Sequence, residues 1–162
     1  MLRITKQTDY GIMLLAYMAR LPHGHVLSAR DAAEWSGLSL PMVSKILKSL
    51  ARQDVVVSHR GAGGGYALAR SVERTTVADI IRALEGPISM VECGSRPGHC
   101  EREPTCPVRI NWARISREVE RALESVPISE MIAACSSGDL LPVRPSHAAQ
   151  AAKAAASAGA KR

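Results

Sequence analysis

Four glycines within five positions, residues 61–65, constrain the fold of this chain more than any other feature. The β-branched stretch 55–58 precedes them and the stretch 66–69 follows them. Because glycine adopts backbone conformations that other residues avoid, this pattern predicts two short strands joined by a tight turn. A phosphate-binding loop is disfavoured, since the lysine and hydroxyl of a P-loop are missing and no helix follows directly.

Helical spacing of apolar residues predicts three helices ahead of this hairpin. The first lies between Thr5 and Pro22, the second covers residues 29–36, and the third covers about 39–53. The second and third helices are joined through Gly37 and have the form of a helix-turn-helix. With the hairpin as a wing, the sequence predicts a mainly α winged helix-turn-helix with a small β-hairpin.

The chain beyond the hairpin is predicted to contain one helix ending near Leu84 and a longer helix between Pro107 and Pro127. The longer helix carries a heptad-like apolar seam, which needs a partner and therefore predicts a dimerisation helix. The seam consists of Val108, Trp112, Ile115, Val119, Ala122 and Val126. The predicted organisation is a winged-helix DNA-binding domain (1–86), a cysteine segment (87–107), the dimerisation helix with a short C-terminal helix (108–136) and a disordered tail (137–162).

Positive charge is concentrated in the winged-helix region. Residues 1–70 carry nine basic and four acidic side chains, a net charge of +5, whereas residues 71–136 carry −2 and residues 137–162 carry +3. Many soluble domains are mildly basic, so the excess by itself is weak evidence. Together with the fold it favours double-stranded DNA as the partner.

The third helix and the wing supply the candidate DNA-binding residues. On the helix, basic side chains are placed for phosphates and the residues near its start for base edges. At the wing, glycines allow close approach to a DNA backbone, and an arginine can reach a groove. A solvated helix face and an ordinary hairpin loop are the alternatives. The candidates are Pro41, Ser44, Lys45, Lys48, Arg52, Arg60, Gly63 and Gly64.

Three cysteines lie in the cysteine segment, with six residues between Cys93 and Cys100 and five between Cys100 and Cys106. The close pairs of a zinc ribbon are absent. Three soft thiolates on one broad Gly/Pro-rich loop suit an iron–sulfur cluster, while zinc and redox-active or unliganded thiols remain alternatives. Cys135 lies far away and is expected to be a buried small residue.

The sequence gives little support to an enzyme or a membrane protein. A cysteine-dependent hydrolase is disfavoured because only His99 lies near the cysteines and nothing marks an orienting partner or an oxyanion hole. No apolar run reaches the ~18 residues of a membrane span, and neither a signal peptide nor an anchor is evident. We expect a cytoplasmic, reducing location.

Four stretches resemble the Rrf-two family of bacterial winged-helix regulators: MLRITKQTDYG (1–11), VSKILKSL (43–50), the wing RGAGGGYALA (60–69) and the three-cysteine loop. The resemblance covers residues 1 to about 135 and implies a homodimeric transcription factor. Family members with three cysteines here bind iron–sulfur clusters, in the IscR-like branch and the nitric-oxide-sensing NsrR-like branch. The opening and the stretch CPVRINW (106–112) are most similar to regulators of the SUF cluster-assembly operon.

Three positions refine what the resemblance implies. Arg109 stands where the IscR-like branch has a ligand histidine, and a charged arginine cannot ligate iron. Asp9 matches the acidic position that completes the cluster from the partner subunit in the NsrR-like branch, with His99, Glu101 and Glu103 as local rivals. Ser44 replaces a glutamate that discriminates between DNA sites in the IscR-like branch.

The resulting expectation is a cluster-sensing repressor of SUF genes, with a [2Fe–2S] or [4Fe–4S] cluster bound by Cys93, Cys100, Cys106 and Asp9. A nitric-oxide or redox sensor with other targets is one alternative. A zinc-stapled interaction protein that does not bind DNA is the other.

Overall fold

The computed structural model describes residues 4–61, 63–95, 98 and 100–135. Within these residues the chain forms seven α-helices, one 3-10 helix and one two-stranded antiparallel sheet. In chain order they are α1 (Lys6–Ala19), α2 (Ala29–Ser36), α3 (Leu40–Arg52), β1 (Val56–His59), β2 (Gly65–Leu68), α4 (Val77–Leu84), α5 (Glu92–Ser95), the 3-10 helix (Glu103–Thr105), α6 (Arg109–Glu124) and α7 (Ile128–Cys135). The predicted tail 137–162 and the residue His99 lie outside the described residues.

Side-chain caps fix where several helices begin. The Thr5 hydroxyl accepts a hydrogen bond from the Gln7 amide at 3.2 Å, and the Ser28 hydroxyl accepts one from the Asp31 amide at 3.1 Å. At the start of α4, Thr76 bonds the amide of the third helical residue, whose carboxylate in turn bonds the Thr76 amide. These short polar side chains satisfy amides that have no partner within the helix, so the helix starts are encoded locally.

The main core forms where α1, α2, α3 and the hairpin meet, and it consists largely of aliphatic side chains because the chain has no Phe. Tyr17 of α1 and Trp35 of α2 stack with ring centroids 4.0 Å apart. Burial raises the pKa of Tyr17. Fully buried side chains include Leu14, Leu15, Leu27, Val43, Ile46, Leu47, Leu50 and Ile80.

The hairpin pairs Val56 with Leu68 and His59 with Gly65. β1 therefore begins one residue later, and β2 one residue earlier, than the predicted strands 55–58 and 66–69. Leu27 extends this sheet, because its backbone exchanges two hydrogen bonds of 2.8 Å with Tyr66. The sequence did not predict this third, one-residue partner. The mainly α fold with a small hairpin is confirmed.

α6 packs on α4 through a different face from the one that the heptad-like seam predicts. Val119 and Leu123 contact a small second core formed by Ala78, Ile81 and Ile88. Val119 is half-buried and packs within the protomer, so it does not serve the predicted intermolecular seam alone. The remaining seam positions in α6 and just before it, at 108, 112, 115 and 122, are exposed.

A cluster of ion pairs also joins α4 to α6. The guanidinium of Arg82 donates to Glu120 at 2.6 and 3.0 Å and also bonds Glu124. These carboxylates, Glu124 first, raise the pKa of Arg82. The position of α6 relative to the winged-helix region is thus set by both apolar and ionic contacts.

Candidate nucleic-acid interface and cysteine segment

α3 has one apolar face and one polar face. Its apolar residues at 43, 46, 47 and 50 are fully buried, which fixes the rotation of the helix about its axis. The predicted contact residues lie on the other side: Pro41, Lys45, Lys48 and Arg52 are exposed, and Ser44 is half-buried. Pro41 lies in the first turn, where its missing amide hydrogen breaks no intrahelical bond.

The wing is attached directly to the end of α3. The Val55 amide donates to the Leu50 carbonyl at 3.0 Å, and Val55 itself is buried. β1 starts one residue later, so the orientation of the hairpin follows from that of the helix. Arg60 and Gly63 are exposed in the turn, and Gly64 is half-buried.

The glycines of the turn differ in what requires them. Gly61 has a φ of 111°, which side chains disfavour. A Cβ at Gly64 would lie 2.7 Å from the His59 carbonyl oxygen, and one at Gly65 would lie 2.4 Å from the Leu27 carbonyl oxygen. A Cβ at Gly63 would meet nothing within 4 Å, so the described part of the protein gives no steric reason for that glycine.

The basic side chains of this surface are uncompensated. Within the described residues, Lys45, Lys48, Arg52 and Arg60 form no ion pair. By contrast, Arg82 on α4 is bound by three carboxylates. The positive charge of α3 and the wing is therefore available to an external polyanion.

The cysteine segment has more regular structure than its sequence predicts. Cys93 lies in α5, Cys100 in a bend, and Cys106 at the end of the 3-10 helix just before α6. All three are free thiols of intermediate exposure. The segment interpreted from the sequence as one broad Gly/Pro-rich loop therefore contains two stretches that local turns and side-chain contacts order. The side chain of Cys135 lies outside the described set, so its predicted burial stays a prediction.

Two separate sets of contacts anchor these stretches. On the α5 side, the Met90 amide donates to the Ser116 hydroxyl of α6 at 3.0 Å, and the Ser89 hydroxyl donates to the Val91 carbonyl at 2.8 Å. On the other side, the Glu103 carboxylate accepts from the Gly98 amide at 2.7 Å and pairs with Arg109 at 3.2 Å. Ser116 and Glu103 are both buried.

The thiol set fits an iron–sulfur cluster by its chemistry, since soft thiolates are the ligands that such clusters take. Within the described residues, however, no three Cys, His, Asp or Glu side chains are grouped closely enough to hold a metal ion. The structure therefore does not bring Asp9, Cys93, Cys100 and Cys106 together. Asp9 is exposed in the first turn of α1.

Glu85, which caps the C-terminus of α4, links the first turn of α1 to the start of the cysteine segment. Its carboxylate accepts hydrogen bonds from the Thr5 amide at 2.9 Å and from the hydroxyls of Thr5 and Thr8 at 2.6 Å each. Sequence reasoning missed Glu85 and Ser116. Ser116 could have been found from the spacing of 116, 119 and 123, a second stripe on α6 that also fits helical periodicity.

Comparison with known proteins agrees with this architecture. The model of the Rrf2 family, described as iron-dependent transcriptional regulators, matches residues 4–134. No helix in the described ranges is both long and apolar enough to cross a membrane.

Solved structures give the same result. The global cysteine regulator CymR of B. subtilis is 31% identical, with 83% of this chain and 98% of that chain covered and a TM-score of 0.59. T. potens IscR is 26% identical (86% and 93% covered, TM-score 0.58), and Staphylococcus aureus CymR is 25% identical (79% and 96%, TM-score 0.54). From the family match and these neighbours, the chain belongs to the Rrf2 family of DNA-binding transcriptional regulators and is not an enzyme.

Proposed function

We propose that this regulator binds an operator as a homodimer and senses an iron–sulfur cluster bound by Cys93, Cys100 and Cys106, acting in the cytoplasm as a repressor of SUF cluster-assembly genes. In this proposal residues 1–86 bind DNA, 87–107 bind the cluster and 108–136 form the dimer. One observation carries it: three free, half-buried thiols lie between the DNA-binding unit and α6, in a chain of an iron-dependent regulator family.

DNA recognition is assigned to α3 and the wing. Lys45, Lys48 and Arg52 are exposed and without ion pairs among the described residues, so they can neutralise phosphates without losing an internal contact. Pro41 and Ser44, nearer the start of α3, are assigned to base edges. Arg60, Gly63 and Gly64 are assigned to the contact between the wing and the DNA.

Dimerisation is assigned to the outer face of α6. Trp112 and Ile115 on this face, and Val108 just before the helix, are each at least 40% exposed. Large apolar side chains at this density on one helix favour burial against a second copy of the chain. Two DNA-binding units would then read a near-palindromic site.

The position of the cysteines suggests how ligation affects DNA binding. The cysteine segment joins α4 to α6, so a change in its conformation alters how the DNA-binding unit is oriented relative to the dimer helix. Cluster binding changes DNA affinity only if the cluster binds more tightly to one orientation of the DNA-binding unit than to another, and the size of the change follows from that difference. When bound, the cluster supplies an iron centre that can be oxidised, nitrosylated or lost. Asp9 is proposed as its fourth ligand, donated across the dimer interface.

Anaerobic purification tests this proposal. We expect visible charge-transfer absorbance with matching iron and sulfide content in the wild type and in Cys135→Ala, and its loss in Cys93→Ala, Cys100→Ala and Cys106→Ala. DNA binding by the cluster-bound and metal-free forms to a pool of randomised duplexes should then differ. A colourless protein that contains one zinc ion would contradict the proposal and support the zinc-stapled alternative.

The 31% identity to CymR, a cysteine regulator, favours a second candidate, namely regulation of cysteine-related genes without a cluster. In that case the purified protein is colourless and metal-free, and DNA binding does not change on anaerobic cluster reconstitution. Genomic DNA selection with the purified protein would distinguish the targets, since SUF promoters are recovered only under the first proposal.

A further inference from the structure

Glu103 is a buried carboxylate between two of the three cysteines. It is only 9% exposed, although it lies in a short 3-10 turn of a surface segment. One carboxylate oxygen accepts from the Gly98 amide at 2.7 Å, and the other lies 3.2 Å from the Arg109 guanidinium. A buried carboxylate is tolerated only where hydrogen bonds and an opposite charge compensate its lost hydration.

These two contacts join the ends of one stretch of chain. Gly98 precedes Cys100 and has a φ of 83°, a conformation that favours glycine. Arg109 is the first residue of α6. The backbone between them is also closed by bonds from the Glu103 amide to the Cys100 carbonyl at 3.0 Å and from the Arg109 amide to the Cys106 carbonyl at 3.4 Å.

We propose that Glu103 is a positioning residue that anchors the Cys100–Cys106 turn to the start of α6 in the metal-free protein. Its consequence for ligation rests on the proposed function, but the anchoring itself does not. Both carboxylate oxygens are engaged, so Glu103 is not a free ligand. Arg109 serves as the counter-ion of Glu103.

Cys93 is positioned independently of this anchor. Its helix α5 follows Met90, whose amide is bound by Ser116 in the middle of α6. A Cβ at Gly94 would lie 2.2 Å from the hydroxyl oxygen of Ser89, the residue before Met90. α5 therefore also packs tightly against Ser89. The metal-free segment therefore consists of two preformed pieces, one with Cys93 and one with Cys100 and Cys106.

Preformed pieces lower the conformational entropy that ligation must overcome, since fewer backbone torsions remain to be fixed. Loss of the Glu103 anchor should loosen one piece and leave the other unchanged. Cluster uptake should become slower and cluster loss faster, because two of the three thiols are less well positioned.

Hydrogen–deuterium exchange on the metal-free, full-length protein tests the anchor. Glu103→Gln keeps an acceptor for the Gly98 amide but removes the ion pair, so we expect exchange over residues 98–109 to be about threefold faster, the factor for a pair with one half-exposed partner. Peptides covering α5 should be unaffected. The matched control is Glu101→Gln, since Glu101 is exposed in the same turn.

A double-variant comparison tests whether Glu103 acts through Arg109. Arg109→Gln should accelerate exchange as Glu103→Gln does, and the double variant should be no faster than either single variant. Unchanged exchange over 98–109 in Glu103→Gln, or equal acceleration in α5, would overturn the anchor.

The cluster is then followed by anaerobic absorbance under chelator challenge. We expect loss about threefold faster in Glu103→Gln than in the wild type, in line with the exchange effect. Faster uptake and slower loss in Glu103→Gln would overturn the positioning role and make the anchor an obstacle to ligation. If the wild type takes up no cluster, the proposed function fails while the exchange result still decides the anchor.

Discussion

Alanine substitutions at Gly63 and Gly65 should distinguish a glycine that is required for DNA binding from one that is required for the stability of the fold. The Cβ added at Gly65 would lie 2.4 Å from the Leu27 carbonyl oxygen and 2.7 Å from the Leu27 carbonyl carbon. Such distances require the backbone of Leu27 to move away from the hairpin. The two 2.8 Å hydrogen bonds between Leu27 and Tyr66 would then be lost or weakened.

The expected magnitudes follow from these contacts. At about 0.5–1.5 kcal/mol for each hydrogen bond, Gly65→Ala should lower the free energy of unfolding by about 1–3 kcal/mol. For a chain of this size that corresponds to a fall in Tm of about 3–10 °C. Gly63→Ala meets nothing within 4 Å, so its free energy of unfolding should change by less than about 0.5 kcal/mol.

For DNA binding, the folded Gly63→Ala protein should be affected more than the folded Gly65→Ala protein. If the Gly63 backbone contacts a phosphate, an added methyl group holds the wing away from the DNA. We expect affinity to fall about tenfold, ~1.4 kcal/mol, near the value of one charge-assisted hydrogen bond. The salt dependence should remain the same, because no positive charge is removed.

Thermal unfolding of the metal-free variants by circular dichroism and fluorescence anisotropy with randomised duplexes measure both quantities. Gly63→Ala with wild-type stability and wild-type DNA affinity would refute the role of Gly63 at the DNA. Gly65→Ala with unchanged Tm would refute the steric account of the hairpin.

Three further predictions concern charge, dimerisation and the fourth ligand. Lys48→Ala should weaken binding to all DNA sequences about equally and reduce the salt slope by about 0.9, as titrations at several salt concentrations would reveal; altered sequence preference with the original slope would contradict this. Ile115→Lys should still fold, because Ile115 is 43% exposed, and should be a monomer by sedimentation, because the new charge would be buried unpaired in the dimer interface. Val119→Lys should instead lower Tm, because Val119 packs on the protomer's second core. A dimeric Ile115→Lys variant would exclude this face of α6 as the interface. Asp9→Ala should leave fold and dimer intact but accelerate cluster loss under chelator challenge, and Asp9→Cys should slow it; wild-type kinetics in Asp9→Ala would exclude Asp9 as a ligand.

The sequence alone determined the local structure of this protein. Caps such as Thr5, Ser28 and Thr76 satisfy amides within three residues of themselves, so their effect can be read without knowing the rest of the chain. The winged-helix fold followed from such local signals together with the hairpin turn. The basic residues of α3 were also recognisable, because the buried positions of an amphipathic helix define its opposite face.

Only the tertiary structure decided which face of α6 packs inward and what the cysteine segment does. Two apolar stripes on α6 share Val119, and periodicity cannot choose between them, since the choice depends on where α4 presents Ala78 and Ile81. Glu103 was only one of several acidic residues near the cysteines in the sequence. Its role arises because folding of the segment brings Gly98 and Arg109 to its two oxygens and removes it from water. Both partners are close to Glu103 in the sequence, but their contacts belong to an irregular turn, which neither helical nor strand periodicity predicts.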